Sequence, residues 1–323
     1  MINPLVSVVI PLYNSEKTIE KTIQSVLNQS YFNVEIIVIE NGSTDNSYNK
    51  VLKYVDANDL KLTSSSIKSA SHSRNLGFNI SKGDYILFLD SDDILGVNYI
   101  ENHIQYLKLV DFDSSIITIG FFDFIQREVV SLNVNDHFLS ENRKELLNNL
   151  FLSHNDFMLQ TSCFLVPRNF CEKYKWKNYL TLDDDGDFIF CILSHFDKIK
   201  ILRNNRFHYR MKTETITLSK TRNKRALLSA LICQENKFIL AKDIAQFEKN
   251  QLIRNQIKIV KDFYFHNGKL GFLGLRLLFR KYSKEEINKL VFDKYDFLNR
   301  IIWNLKWLNI FFLFNSFFKK NVK

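Results

Sequence analysis

Along the first two thirds of the chain, apolar and polar positions fall into blocks whose period switches between strand-like and helix-like. "LVSVVIPLYN" (residues 5–14) is a short β-branched run that ends at Pro11, as a buried parallel strand followed by a loop would. "SEKTIEKTIQSVLNQ" then sets Ile19, Ile23, Val26 and Leu27 at helical spacing and offers Ser15 as an N-cap. "VEIIVIENGSTDNS" repeats the plan with a second apolar strand, broken by turn residues at Asn41-Gly42. After another helix-like stretch and the polar "TSSSIKSASHSRN", the third strong strand, "DYILFLD", runs into the carboxylates of Asp90, Asp92 and Asp93. Such alternation predicts an α/β fold: a mostly parallel, Rossmann-like sheet flanked by helices, with ligands gathered at the carboxyl ends of the strands. Pro11, Glu40-Asn41 and residues 90–93 all lie at such ends, so three polar clusters should converge on one crevice.

Beyond Thr213 the strands give way to long helical stretches rich in Lys, Leu and Phe, which divides the chain into a body at 1–215 and a helical region at 216–323. On a helical wheel of the final segment, Trp303, Trp307, Ile310, Phe311, Phe314, Phe317 and Phe318 share one face, opposite its Asn, Lys and Ser residues. Charge follows the same division. Residues 1–215 carry 22 Lys and Arg against 27 Asp and Glu, net −5, and residues 216–323 carry 22 against 8, net +14, inside a total of +9. An aromatic face beside basic residues suits an anionic membrane surface. Packing on the protein's own core gives the same wheel, and a solvated helical surface gives the same charge. A nucleic-acid binder using the basic region is the nonenzymatic alternative, but it leaves the acidic clusters without a role, so no nucleic-acid partner is expected.

Cys163, Cys171, Cys191 and Cys233 form no CxxC pair, and residues 1–10 lack the basic-then-apolar order of a secretion signal. The richest apolar run, 301–318, is broken by Asn304, Lys306, Asn309, Asn315 and Ser316, too often for a bilayer span. The expectation is a reduced, cytoplasmic protein attached peripherally to the inner face of the cell membrane.

The chemistry concentrates in the DxD triplet Asp90-Ser91-Asp92 and its neighbour Asp93. Three carboxylates within four positions repel one another, and a hard cation, Mg²⁺ or Mn²⁺, would neutralise them while bridging to substrate phosphates. An isolated DxD also arises in acidic loops or as a helix N-cap. An aspartyl phosphatase is the enzymatic rival, although Ile94 breaks the spacing such enzymes need and two βα units precede the motif here.

Four stretches in order, "VSVVIPLYN", "IIVIENGSTDNS", "SRNLGFNISKGDYILFLDSDD" and "DDDGDF", resemble the family 2 glycosyltransferases of the GT-A fold, over roughly residues 5–210. The resemblance implies a metal-dependent, inverting hexosyl- or N-acetylhexosaminyltransferase that uses a nucleotide sugar, most simply a UDP-sugar. The acceptor it implies is a saccharide, lipid-linked as in bacterial surface polysaccharide assembly. By the same resemblance Pro11 and Tyr13 line the base pocket, and Asn41 stands where an Asp usually accepts a hydrogen bond from uracil. Glu40 supports that loop, and Arg74 reaches the nucleotide or pairs with an acidic neighbour. Asp90 and Ser91 contact the nucleotide sugar, Asp92 ligates the metal, and Asp185 is the general base. Sliding the alignment by one elects Asp184. The register preferred here starts the following helix at Asp187-Phe188. Asp45 is assigned to bracing its turn, His208 and Arg210 to the diphosphate, and 158–166 to a strand on the acceptor side. The Arg that the family often carries near Cys191 is missing.

Overall fold

The computed structural model describes residues 3–55, 60–126, 129–131, 139–152, 159–211, 223–245, 248–266, 268–283 and 286–287. The chain divides into two compact units, Met1–Phe247 and Glu248–Lys323. In the first, β1 (Val6–Leu12), α1 (Ile19–Leu27), β2 (Val34–Glu40), α2 (Ser47–Val55), β3 (Leu60–Ser64), α3 (Ala70–Ile80) and β4 (Tyr85–Phe88) follow in strict alternation. Then come β5 (Ile94–Leu95), α4 (Tyr99–Leu109), β6 (Ile116–Gln126), β7 (Val129–Ser131), α5 (Arg143–Leu152), β8 (Phe164–Pro167), α6 (Arg168–Lys173), α7 (Asp184–His195), β9 (Lys198–Arg210) and α8 (Lys224–Ala245). Among the described residues the strands form one sheet in the order β3-β2-β1-β4-β8-β6-β9-β5, with β7 paired to β6.

The run β3-β2-β1-β4 is parallel throughout, and β1 is buried at every position, which is why its sequence reads as continuously apolar. The chain leaves β1 toward β2 and β3, then returns to lay β4 on the other side of β1. That reversal opens a crevice beyond the carboxyl ends of β1 and β4. Pro11 explains how the crevice is kept open. Val9 O accepts the Leu89 N–H at 3.0 Å, so odd-numbered residues of β1 turn their main-chain groups toward β4, and pairing with β4 stops at Val9–Phe88. Pro11 is the next residue on that side, where a missing N–H leaves no ladder unpaired.

Local details differ from the sequence pattern at three places. Helix α1 begins at Ile19, and Ser15 is not its cap: the Ser15 carbonyl accepts from Thr18 and Ile19, while its hydroxyl lies 2.6 Å from Ser91 Oγ. A tertiary hydrogen bond has claimed the side chain that would have capped the helix. Within the stretch read as polar, β3 ends at Ser64 and α3 starts at Ala70, with Ser69 Oγ accepting the His72 N–H at 3.3 Å. The expected acceptor-side strand at 158–166 is a short 3-10 turn, Thr161–Cys163, followed by β8, and Met158 lies outside the described residues.

The first unit takes in α8, beyond the boundary expected at 215/216. Ala226, Leu227, Ala230 and Cys233 are buried, and the helix packs against α7 and α5. In the second unit, α9 (Lys249–His266) and α10 (Gly268–Lys281) pack closely at small residues: a Cβ on Gly274 would sit 2.6 Å from Val260 Cγ2. The aromatic segment 301–323 lies outside the described residues. No helix among the described residues is long and apolar enough to cross a membrane, and all four cysteines are buried and free.

Candidate active site

Arg74 gathers the acidic clusters into one place. It projects from the first half of α3, and its side chain is only 4% exposed. Its Nη2 donates to Asp90 Oδ1 at 2.9 Å, while Nη1 lies 3.2 Å from Asp185 Oδ1 and 3.6 Å from Asp184 Oδ2. The guanidinium rests on the Trp176 ring, 4.3 Å from its centroid, and that ring is stacked on Phe188 at 4.2 Å. Burial alone would weaken the Arg74 charge, but Asp185, Asp90 and Asp184 more than offset this and hold it protonated. A single cation therefore joins the carboxyl end of β4 to the N-terminus of α7. The two segments are far apart in sequence.

Helix α7 opens at Asp184, three residues before the expected start at Asp187, which puts Asp185 in its first turn. Asp184 accepts from Ser71 Oγ at 2.7 Å. Asp185 accepts no hydrogen bond at its buried Oδ1, although the side chain as a whole is 38% exposed. Burial raises its proton affinity most; Arg74 lowers it, and Asp184, Asp90 and Asp183 raise it again, so that the carboxyl is lifted to about 7. Asp187 is held by Lys177 and Asn236 at 2.9 and 2.7 Å. Of the neighbouring carboxylates expected to act on Asp185, Asp183 and Asp184 are among those that raise its proton affinity.

The other strand ends border the same crevice. Tyr13, just past β1, is 46% exposed. Glu40 accepts from the Ser43 N–H and hydroxyl, which braces its own loop. Asn41 Oδ1 accepts the Ser69 N–H at 3.0 Å, so one lone pair of the oxygen expected to face uracil is already used. Ser91 is tied to Ser15, and its carbonyl accepts from Thr18 at 3.0 Å. Asp45 braces its turn, accepting from the Glu16 and Ser47 N–H groups at 3.0 Å. Arg210 grips the acidic turn: its Nε donates to Asp92 O at 3.1 Å and its N–H to Asp93 Oδ1 at 3.0 Å. His208 pairs with Ile94 and Asp123 in the sheet.

Residues 7–175, more than half of the chain, match the family model described as glycosyl transferase family 2. The chain belongs to this family. Among the family's members, two Escherichia coli proteins named UDP-Glc:alpha-D-GlcNAc-diphosphoundecaprenol beta-1,3-glucosyltransferase, WfaP and WfgD, are 38% and 42% identical over 104 and 103 residues. Each match covers 32% of this chain and 41% of the relative, so the chain spans about two fifths of the length of these proteins. Glycosyltransferase GlyG of Streptococcus pneumoniae is 28% identical over 66% of this chain and 72% of its own. S. aureus TarS, solved in complex with UDP-GlcNAc, superposes with a TM-score of 0.59 over 81% of this chain and 73% of that one at 18% identity, which shows a shared GT-A fold. The matched region ends at 175, before Asp185 and α8.

For a divalent cation the fit rests on the donors present. Asp92, 8% exposed at the end of β4, offers a hard oxygen, and no group of three or more His, Cys, Asp or Glu among the described residues forms a metal cage. One carboxylate plus phosphate oxygens and water is how Mg²⁺ is commonly held, so the residues suit a cation that arrives with its substrate. Sequence reasoning missed Tyr209. Burial, with Asp90, Asp93, Asp92 and Asp185 around it, raises the proton affinity of its phenol. The strand alternation in "HYR" was the available signal: Tyr209 points to the face opposite His208 and Arg210. Trp176 and Ser71 gave no signal short of the fold.

Proposed function

We propose that the protein transfers a sugar from a UDP-sugar to a lipid-linked saccharide with inversion at the anomeric carbon, and that Asp185 is the general base. The observation that carries this reading is Arg74 joining Asp90 to Asp185, because a donor held at the β4 end then lies beside a carboxylate of near-neutral proton affinity. Asp185 takes the proton from the acceptor hydroxyl as that oxygen attacks the anomeric carbon, and UDP leaves from the opposite face. Tyr13 offers its exposed ring to the uracil, Pro11 opens the pocket, and Glu40 with Ser43 fixes the loop that carries Asn41. Asp90 and the turn at Ser91 receive the ribose and sugar. Asp92 would hold Mg²⁺ or Mn²⁺, whose charge stabilises the departing diphosphate. The names of the E. coli relatives support the donor and the acceptor class, since a β product from an α-linked nucleotide sugar requires inversion. Their diphosphoundecaprenol acceptors also support work at a membrane surface.

The test is an incubation with UDP-glucose or UDP-GlcNAc, Mn²⁺ and a diphospholipid-linked GlcNAc acceptor, read by mass spectrometry. Release of UDP with a heavier acceptor is expected, and Asp92→Ala should abolish metal-stimulated transfer while the fold is kept. Turnover in that variant equal to wild type removes the metal assignment; release of inorganic phosphate in place of UDP removes the transferase reading.

A further inference from the structure

The segment that carries Asp185 is held by α8, which lies beyond the family match. Ser229 Oγ accepts the N–H groups of Thr181 and Leu182 at 2.9 and 3.0 Å and donates to Leu182 O at 2.7 Å. Two turns along the same helix, Lys237 Nζ donates to Asp183 Oδ2 at 2.6 Å, beside Asn236 on Asp187. Asp183 has φ 62, the left-handed region that a residue with a Cβ enters only when its surroundings hold it there. Lys237 is 8% exposed, and the Asp183 carboxylate is the partner its covered side chain meets. The pair crosses Gly186 so closely that a Cβ there would lie 2.1 Å from Asp183 Oδ1 and 2.5 Å from Lys237 Nζ. A glycine follows Asp185 because the ion pair occupies the space of a side chain.

We propose that Lys237 is a positioning residue for transfer: by pinning Asp183 across Gly186 it sets the direction of the Asp185 carboxylate and cancels one of the negative charges around it. This inference rests on Asp185 being the base. The groups that face Asp185 are Arg74 from α3, Asp90 from the β4 end, Tyr209 from β9, and Asp183 and Asp184 from its own segment. Lys237 acts on that set through Asp183, and Lys177 is engaged with Asp187.

The experiment measures UDP release by the full chain against pH for wild type, Lys237→Met, the double variant Asp183→Asn/Lys237→Met, and Asp185→Asn, with active sites counted by UDP titration. For Lys237→Met, kcat per site should fall by about tenfold or more, as misdirected catalytic groups do, with the donor KM nearly unchanged. Its acid limb should move to higher pH, because the uncompensated Asp183 charge opposes loss of the Asp185 proton. In the double variant the limb should return toward wild type while kcat stays low. Wild-type kcat and limb in Lys237→Met, or a loss that merely tracks lost UDP sites with the limb unmoved, would overturn the proposal. If Lys237→Met does not accumulate folded, Asp183→Asn alone decides it: kcat should fall and the limb should move to lower pH, and unchanged values sink the idea. Full transfer by Asp185→Asn would instead remove the base assignment, whatever Lys237 does.

Discussion

Asp185 combines two demands that conflict. As the proposed base it must be ionised when the acceptor arrives, yet burial and the neighbouring carboxylates of Asp184, Asp90 and Asp183 oppose that ionisation, and Arg74 offsets them only in part. A carboxyl lifted to about 7 is half-ionised near neutrality, so kcat should climb with pH through that region. The stability consequence has a definite sign. Because the folded state binds this proton more tightly than the unfolded state, the folded protein loses stability as pH rises from about 4, the ordinary Asp value, toward the raised one. Asp185→Asn should therefore melt at a higher temperature than wild type at pH 8, with the gap closing at pH 5, and should transfer sugar about 10²–10⁴-fold more slowly. A lower melting temperature at pH 8 would count against the crowded-carboxylate account. Arg74→Met has the opposite effect on the fold. It leaves Asp90, Asp184 and Asp185 without their shared cation, and since those carboxylates are partly solvated a loss of about 1–3 kcal/mol is expected in urea unfolding.

At the level of elements, α3 sets the position of Arg74, and Gly77 sets the position of α3. A Cβ on Gly77 would fall 2.3 Å from Val9 Cγ1 and 3.3 Å from Ile39 Cγ1, so the helix rests directly on β1 and β2. Gly77→Ala should cost about 1–3 kcal/mol by overpacking, and because Arg74 lies one turn away it should also lower kcat; a variant of full stability and activity would show that the helix can slide without penalty. This helix also marks where the sequence could and could not be read. The apolar strands β1, β2 and β4 were legible because burial on both faces writes an unbroken run, and with them the crevice and the acidic turn at its edge. The start of α3 was not, since "SASHSRN" is polar on its face and becomes helical through the Ser69 cap and packing on β1. Asp185 came from the resemblance of "DDDGDF" to a family motif, whereas its contacts to Arg74 and its support from Ser229 and Lys237 depend on which distant segments the sheet brings together. No local pattern encodes that.

For the molecule as a whole, the division of charge into −5 and +14 fits the two regions to different proposed partners: UDP-sugar and metal for the first, an anionic surface for the second. Of the three tryptophans, Trp176 is buried beside Arg74, while Trp303 and Trp307 lie in the final segment, where the sequence pattern predicts them on one aromatic face. A change in tryptophan emission on adding lipid would then report on that segment. With vesicles containing anionic phospholipid, the full chain should float with the lipid, and its emission should shift to shorter wavelength as the rings enter the headgroup region. Raising the salt toward 1 M, where the screening length falls to about 3 Å, should weaken the attachment without abolishing the aromatic contribution. Deleting 301–323 should release the protein from vesicles while UDP titration stays unchanged. Flotation of the shortened chain with undiminished yield would assign membrane contact to the rest of the protein, and an emission spectrum blind to lipid would place the aromatic face against protein.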